Sequence, residues 1–127
     1  DVTFTGYLNK KEVFCAYNIA DLMLFPSITE TQGLTAVESI MSGTPVIGIN
    51  KMGIKNVISN GVSGVLTNED INEYSEAVIN LLSNNKKRAE LSKTSKEYGQ
   101  DYSFIKTGKK LEAIYTSLIK NKTLINS

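Results

Sequence analysis

Two carboxylates flank a glycine in residues 25–38, whose sequence is FPSITETQGLTAVE. Glu30 precedes Gly33 in a polar stretch, and Glu38 follows it about one turn into a predicted helix. Carboxylate oxygens accept hydrogen bonds from hydroxyl groups, often two from one diol. Glycine lets the backbone come close to a ligand, because it carries no Cβ atom. This spacing is therefore suited to gripping two sets of sugar hydroxyls.

The predicted helix start adds a site for an anion. A helix N-terminus carries unpaired N–H groups and the positive end of the helix dipole, so it attracts phosphate. We expect the amides of Gln32, Gly33, Leu34 and Thr35 to face a pyrophosphate or a sugar. A second interpretation needs no ligand, because the dipole favours a glutamate near any helix start and loop glutamates are commonly solvated. Spacing alone leaves the two interpretations evenly balanced.

Alternating strands and helices would position this segment. Apolar and β-branched runs predict strands over residues 2–5, 21–26, 46–49 and 65–66. Helical spacing predicts helices over residues 11–20, from Leu34 to about Gly43, after Asp70, and over 86–98 and 104–120. We expect an α/β fold with a parallel sheet flanked by helices. Ligands bind such sheets outside the carboxyl ends of the strands, where residues 26–33 fall. Four strands are few for a doubly wound sheet, so further βα units are expected upstream of Asp1.

The same periodicity predicts which side chains are buried. Asp70 and Glu73 resemble a capping box, and the helix behind them is expected to bury Ile71, Tyr74, Val78, Leu81 and Leu82. The last helix is expected to bury Leu111, Ile114, Tyr115 and Leu118. Cys15 lies in a helix-like stretch and is predicted to be a small buried hydrophobe. Residues 121–127 are expected to form a frayed tail.

Composition excludes several function classes for these 127 residues. The sequence has no histidine, so it lacks the commonest general base and the commonest metal ligand. Zinc chemistry and Ser-His-Asp hydrolysis are thereby excluded within this chain. One cysteine cannot form an internal disulfide, which suits a reducing cytoplasm. No apolar run approaches the roughly 18 residues of a membrane span.

Charge is distributed unevenly along the chain. Residues 1–82 carry nine Asp/Glu against four Lys/Arg, whereas residues 83–127 carry ten Lys/Arg against four Asp/Glu. A basic segment can attract anionic lipid or nucleic acid. The charges are spread rather than blocked, which favours a solvated helix surface. We therefore expect no nucleic-acid partner.

Several motifs together resemble glycosyltransferase family 4, a large family of retaining enzymes with the GT-B architecture. The likeness rests on Pro26-Ser27, the pair Glu30 and Glu38, and the run SGTPVI at residues 42–47. It continues through the sequence NGVSGVL at residues 60–66, DYSF at residues 101–104, and the closing helix with Tyr115. The likeness spans nearly the whole chain.

The resemblance implies the carboxyl-terminal, donor-binding domain of a GT-B enzyme, here residues 1–120 and truncated on its N-terminal side. It implies that Glu30 contacts the donor sugar and acts in catalysis, orienting it and stabilising charge. Glu38 then binds the ribose, and amides around Gly33 and Leu34 hold the distal phosphate. The expected substrate is a nucleotide sugar, a UDP-sugar in the first instance, used without a metal or other cofactor. The acceptor domain is absent, so we expect this chain alone to be inactive.

Some residues depart from the family pattern. Glu38-Ser39 replaces the usual Glu-Ala. After the strand Val46–Ile49, where a Gly-Gly turn followed by an acidic residue is common, the chain reads KMGIKN at residues 51–56, with Asn56 near the acidic position. The sequence ETQGLT at residues 30–35 is similar to bacterial synthases that glucosylate diacylglycerol. That likeness extends the expectation from a cytoplasmic protein to one attached peripherally to the inner face of the membrane.

Two other functions are compatible with the same fold. A non-catalytic module that binds nucleotide sugars or another protein would keep the site but lack turnover. An unrelated phosphate-binding domain, such as a flavodoxin-like one, leaves the spacing of Glu30 and Glu38 unexplained.

Overall fold

The computed structural model describes the backbone of residues 1–125 and the side chains of residues 1–120. Within that part of the chain, six α-helices and three strands follow one another, with a 3₁₀ turn before the last helix. In chain order the elements are α1 (Lys10–Ile19), β1 (Met23–Phe25), α2 (Leu34–Ser42), β2 (Val46–Ile49), α3 (Ile54–Val57), β3 (Gly64–Thr67), α4 (Ile71–Leu82), α5 (Asn85–Gly99), the 3₁₀ turn Gln100–Tyr102 and α6 (Phe104–Ile125).

The three strands form a parallel sheet in the order β1-β2-β3, as the alternation of strands and helices predicts. Leu24 pairs with Ile47, and Ile47 pairs with Val65 on the other side. All four residues of β2 are buried, because it is the central strand and is covered on both faces. The carboxyl ends of the strands therefore meet at one edge, which also holds the loop before α2.

Side chains alternate along β2 and form two cores, one on each face of the sheet. Val46 packs with residues of α2 and α3, among them Ala36, Ile40 and Ile54. Ile47 packs on the opposite face with Leu81 of α4 and Leu91 of α5. The result is a sheet between two helical layers, which fixes the start of α2 against the sheet edge.

Two helix ends follow the predicted chemistry. Gly43 ends α2 in the left-handed conformation, with φ 87°, and its N–H donates to the carbonyl of Ile40. Asp70 caps α4 by accepting from the amides of Asn72 and Glu73. The capping box is only half formed, because the Glu73 carboxylate accepts from Asn68 rather than from the amide of Asp70.

The strand predicted over residues 2–5 is wrong. These residues have no ladder partner within residues 1–125, and the side chains of Val2 and Phe4 are 83% and 94% exposed. The pattern of residues 2–5 indicates a preference for extended backbone. A strand also needs a neighbouring strand that pairs with its N–H and C=O groups. β1 has β2 as a neighbour on one side, and its Leu24 is half-exposed.

Several predicted burials are also wrong. Ile71 and Leu82 of α4 are exposed, as are all four predicted core residues of α6, Leu111, Ile114, Tyr115 and Leu118. Among the described residues, α6 packs chiefly against the 3₁₀ turn. Periodicity identifies an apolar face but not the surface that covers it. The predicted frayed tail, residues 121–127, lies outside the residues whose side chains are described, and the backbone of α6 continues to Ile125.

Cys15 is exposed, which corrects the prediction that it is buried. α1 contains no buried residue, because it packs on α2 at one side and is otherwise solvated. Asn9 caps this helix and Glu12 completes the capping box, so α1 begins one residue earlier than predicted. Local capping, rather than burial in a core, defines this helix.

Candidate functional site

The predicted helix start is confirmed. β1 ends at Phe25, a polar loop follows, and α2 begins at Leu34 with Gly33 as its N-cap residue. Gly33 has φ 64°, in the left-handed region that favours glycine. A Cβ atom there would also lie 3.1 Å from Cδ1 of Ile54 and 3.3 Å from Cγ2 of Val57. The backbone conformation therefore favours glycine at position 33, and the tight contacts with α3 add to that preference.

Glu30 is held by its own loop. Its Oε1 atom accepts hydrogen bonds from the backbone amides of Thr31, Gln32 and Gly33, each at 3.0 Å. We call residues 30–33 the glutamate loop. The amide of Gly33, followed by that of Gln32, lowers the pKa of Glu30 below its usual value, because both stabilise the carboxylate. Glu30 is thus a fixed anion rather than a mobile surface side chain.

This arrangement changes which of the four predicted amides can bind an anion. The amides of Gln32 and Gly33 donate to Glu30, so they face the carboxylate and not an external ligand. The amides of Leu34 and Thr35, in the first turn of α2, have no acceptor among residues 1–125, and both residues are exposed. Two of the four predicted amides are therefore available at the positive end of the helix dipole.

Glu38 lies on α2 and faces α1. The hydroxyl of Tyr17 donates to Oε2 of Glu38 across 3.4 Å, a long hydrogen bond. Burial of the ring raises the pKa of Tyr17, and the negative charge of Glu38 raises it further. The two helices thus meet at a polar contact that is weaker than those around Glu30.

A cavity of about 490 Å³ opens between these helices. We call it the α1–α2 groove. Thr35 and Glu38 line one wall, and Tyr7, Phe14 and Tyr17 contribute aromatic rings to the other. Sequence reasoning missed all three aromatic residues. The signal for two of them is their spacing, since Phe14 and Tyr17 are three residues apart and share a face of α1.

The predicted site residues therefore form two groups. Glu30, Gln32 and Gly33 belong to the glutamate loop, whereas Thr35 and Glu38 line the α1–α2 groove. The exposed amides of Leu34 and Thr35 lie in the first turn of α2, between the two groups along the chain. A ligand that spans all three regions would meet a carboxylate at each end and two amides at its centre.

Among the described residues, no group of three or more His, Cys, Asp and Glu side chains is arranged to hold a metal ion. None of the helices described here is both long and apolar enough to cross a bilayer.

Comparison with known proteins identifies the family. The family model described as glycosyl transferases group 1 matches residues 1–98. The chain belongs to this family. The resemblance drawn from the paired glutamates and the SGTPVI run is thereby confirmed.

Curated relatives of this glycosyl transferase chain carry a more specific name. The chain is 33% identical over 116 residues to a D-inositol 3-phosphate glycosyltransferase of Mycolicibacterium smegmatis, covering 91% of this chain and 26% of that protein. It is 31% identical over 109 residues to the protein of the same name in Corynebacterium urealyticum, covering 85% of this chain and 26% of that protein. The chain thus spans about a quarter of the length of these relatives. The likeness to diacylglycerol glucosyltransferases stays a prediction.

A solved structure supports the fold. The crystal structure of Anabaena Alr3699/HepE in complex with UDP superposes with a TM-score of 0.73 at 20% sequence identity. The match covers 80% of this chain and 29% of the other. It confirms the parallel sheet flanked by helices, which is part of a larger chain in the solved structure.

Proposed function

We propose that this chain is the donor-binding half of a retaining glycosyltransferase that uses a UDP-sugar. The observation that carries the proposal is the placement of two carboxylates on either side of exposed helix-start amides, in a member of a glycosyl transferase family. A nucleotide sugar has hydroxyls at both ends and a diphosphate in the middle. These ligand groups occur in the same order as the carboxylate, amides and carboxylate of the site.

The nucleoside is assigned to the α1–α2 groove. The ribose diol donates to Glu38, whose long contact with Tyr17 is easily exchanged for a better donor. The rings of Tyr7 and Phe14 offer apolar surface on which a base can stack. The Anabaena structure was solved with UDP, which makes uridine the first base to test.

The diphosphate is assigned to the first turn of α2. The amides of Leu34 and Thr35 donate to its oxygens, and the helix dipole stabilises its negative charge. This assignment places no metal ion at the diphosphate, because backbone donors and the helix dipole stabilise its charge. It keeps the predicted roles of these two amides and leaves those of Gln32 and Gly33 to the glutamate loop.

Glu30 is assigned to the donor sugar. Its Oε1 atom is occupied by three amides, and Oε2 accepts no hydrogen bond from the described residues. Oε2 then accepts from a sugar hydroxyl and orients the ring. As the bond to phosphate breaks, positive charge develops on the sugar, and a preorganised anion stabilises it at no cost in reorganisation. The lowered pKa keeps that anion charged in acidic buffer.

Binding and turnover in the intact, full-length protein test the proposal. Addition of UDP should raise the midpoint of thermal unfolding, because a ligand of the folded state stabilises it by mass action. Release of UDP from a UDP-sugar in the presence of candidate acceptors should follow. Absence of any UDP-dependent shift in the folded protein would contradict the site. Binding without turnover on any acceptor would instead favour the non-catalytic module.

A further inference from the structure

A second turn lies against the glutamate loop at the same edge of the sheet. It comprises residues 50–53, between β2 and α3. The amide of Gly53 donates to the backbone carbonyl of Glu30 at 2.9 Å, across 23 positions of sequence. The Glu30 carboxylate therefore accepts hydrogen bonds from its own loop, whereas the Glu30 backbone carbonyl accepts one from this turn.

Glycine at position 53 is not required by its own backbone conformation. Gly53 has φ −56° and ψ −34°, the right-handed helical region that any residue adopts. The requirement is steric. A Cβ atom on Gly53 would overlap the carbonyl oxygen of Thr31, and it would lie 2.5 Å from the carbonyl carbon of Thr31 and 3.0 Å from the amide nitrogen of Gln32. These are backbone atoms, so no side-chain rotation relieves the contact.

The preceding residue shows the opposite combination. Met52 has φ 38°, in the left-handed region that favours glycine, yet it carries a side chain that is 60% exposed. The turn thus accepts a side chain where the backbone favours glycine, and excludes one where the backbone would allow it. The restriction at position 53 therefore originates in the contact with the glutamate loop.

The far end of the glutamate loop rests on the same segment. Ile54 and Val57 of α3 are buried and lie next to Gly33, where a Cβ atom would make tight contacts with both side chains. Gly53 supports Glu30 and Thr31, and Ile54 and Val57 support Gly33. The turn and α3 together therefore contact both ends of the glutamate loop and fix its position at the sheet edge.

We propose that Gly53 is a positioning residue for Glu30. By letting two backbones touch, it sets where the Glu30 carboxylate and its three amides stand relative to the donor sugar. This inference rests on the proposed function, because it gives Gly53 a purpose only if Glu30 faces a substrate.

The test is Gly53→Ala in the full-length protein, with Gly108→Ala as the matched control. A Cβ atom at Gly108 meets nothing within 4 Å, so that variant should behave like the parent protein. Alanine favours helical backbone more than glycine does, so a purely local role at position 53 predicts unchanged or improved stability. Displacement of Glu30 by about 1 Å should lower kcat/KM for the UDP-sugar by about tenfold to a hundredfold. The affinity for free UDP should change less than about threefold, because UDP lacks the sugar that is assigned to Glu30.

Hydrogen exchange separates this inference from the proposed function. In Gly53→Ala, the amides of residues 31–33 should exchange faster than in the parent protein and in Gly108→Ala, whether or not UDP binds. Unchanged exchange, or transfer equal to that of the parent protein, would overturn the positioning role. Failure of the parent protein to bind UDP would reject the proposed function, whereas the exchange rates would still show whether Gly53 holds the glutamate loop in place.

Ile54→Val is a second test of the inference, for the case that Gly53→Ala does not fold. This variant removes only Cδ1, the atom nearest to the position of a Cβ on Gly33. It should lower transfer in the same way but less, by about two- to tenfold, with UDP affinity retained. Parent-like transfer and exchange in Ile54→Val would show that the support of the glutamate loop does not set the position of Glu30, and would overturn the inference.

Discussion

The two carboxylates of the site are held in different ways. Glu30 accepts three backbone amides at 3.0 Å, whereas Glu38 accepts one phenol at 3.4 Å. Amide donors fixed by the backbone leave Glu30 little freedom, but Glu38 accepts from a side-chain hydroxyl at the long end of hydrogen-bond distances. A rigid anion suits a place where charge develops during a reaction, because it does not reorganise. An exchangeable contact suits a place where a ligand binds and leaves.

The difference also separates what each carboxylate does for the protein without ligand. Glu30 organises the turn into α2 and is part of the backbone hydrogen-bond scheme. Glu38 lies in the wall of an open groove and adds one contact between two helices. Substitutions at the two positions should therefore fail in different steps of the reaction.

The largest expected effect is on turnover in Glu30→Gln. The glutamine carbonyl can still accept the three amides, so the loop keeps its shape while the negative charge is lost. In the full-length enzyme, kcat should fall on the order of a hundredfold or more. The affinity for free UDP should stay nearly unchanged, because UDP carries no donor sugar. Steady-state kinetics and UDP calorimetry on the same preparation measure both quantities.

The contrast with Glu38→Gln makes that result interpretable. Loss of a charged acceptor for the ribose should weaken binding of UDP and UDP-sugar alike, by roughly tenfold to a hundredfold, since hydrogen bonds to charged groups contribute about 1.5–3 kcal/mol. KM should rise more than kcat falls. Reversal of the two defects would keep the site and exchange the roles. Parent-like behaviour of both variants would make the carboxylates structural.

Sequence patterns predicted the parts of this site that depend on local preference. The start of α2 at Gly33-Leu34, the C-cap at Gly43 and the strand Val46–Ile49 all follow from short-range rules. The paired glutamates were recognised from their spacing. None of these features requires knowledge of a partner distant in sequence.

Two kinds of feature escaped prediction: a local loop conformation and a contact between residues distant in sequence. The capture of Glu30 by amides 31–33 depends on how the loop curls, and the contact of Tyr17 with Glu38 joins residues 21 positions apart. The wrong strand at residues 2–5 and the wrong burials on α6 share one cause. Their patterns describe a face or an edge that is ready to pack, and the covering surface is not among the described residues.

A smaller effect should appear in the pH dependence of stability. Because the folded-state pKa of Glu30 is lowered, its charge stabilises the fold above the unfolded pKa of about 4.3, and this contribution is lost as the pH falls through the lower folded value. The thermal midpoint of the parent protein should exceed that of Glu30→Gln near pH 7, and the gap should close towards pH 3. Glu112→Gln is the control, because that α6 carboxylate accepts no hydrogen bond from residues 1–120. A gap that is constant with pH would contradict the stabilised carboxylate.

The smallest expected effect is that of Tyr17→Phe, which tests whether the contact between Tyr17 and Glu38 is exchangeable. The variant removes the hydroxyl that contacts Glu38 and keeps the ring that lines the α1–α2 groove. If the ribose replaces this hydroxyl on binding, the exchange costs one long, weak hydrogen bond, so UDP affinity should change by less than about threefold. Calorimetry with UDP on Tyr17→Phe, Glu38→Gln and the double variant measures it. A loss in Tyr17→Phe as large as that in Glu38→Gln, with no further loss in the double variant, would show that the two residues act as one unit. The Glu38 carboxylate would then be held by the protein as firmly as that of Glu30, and the distinction between a rigid and an exchangeable carboxylate would fail.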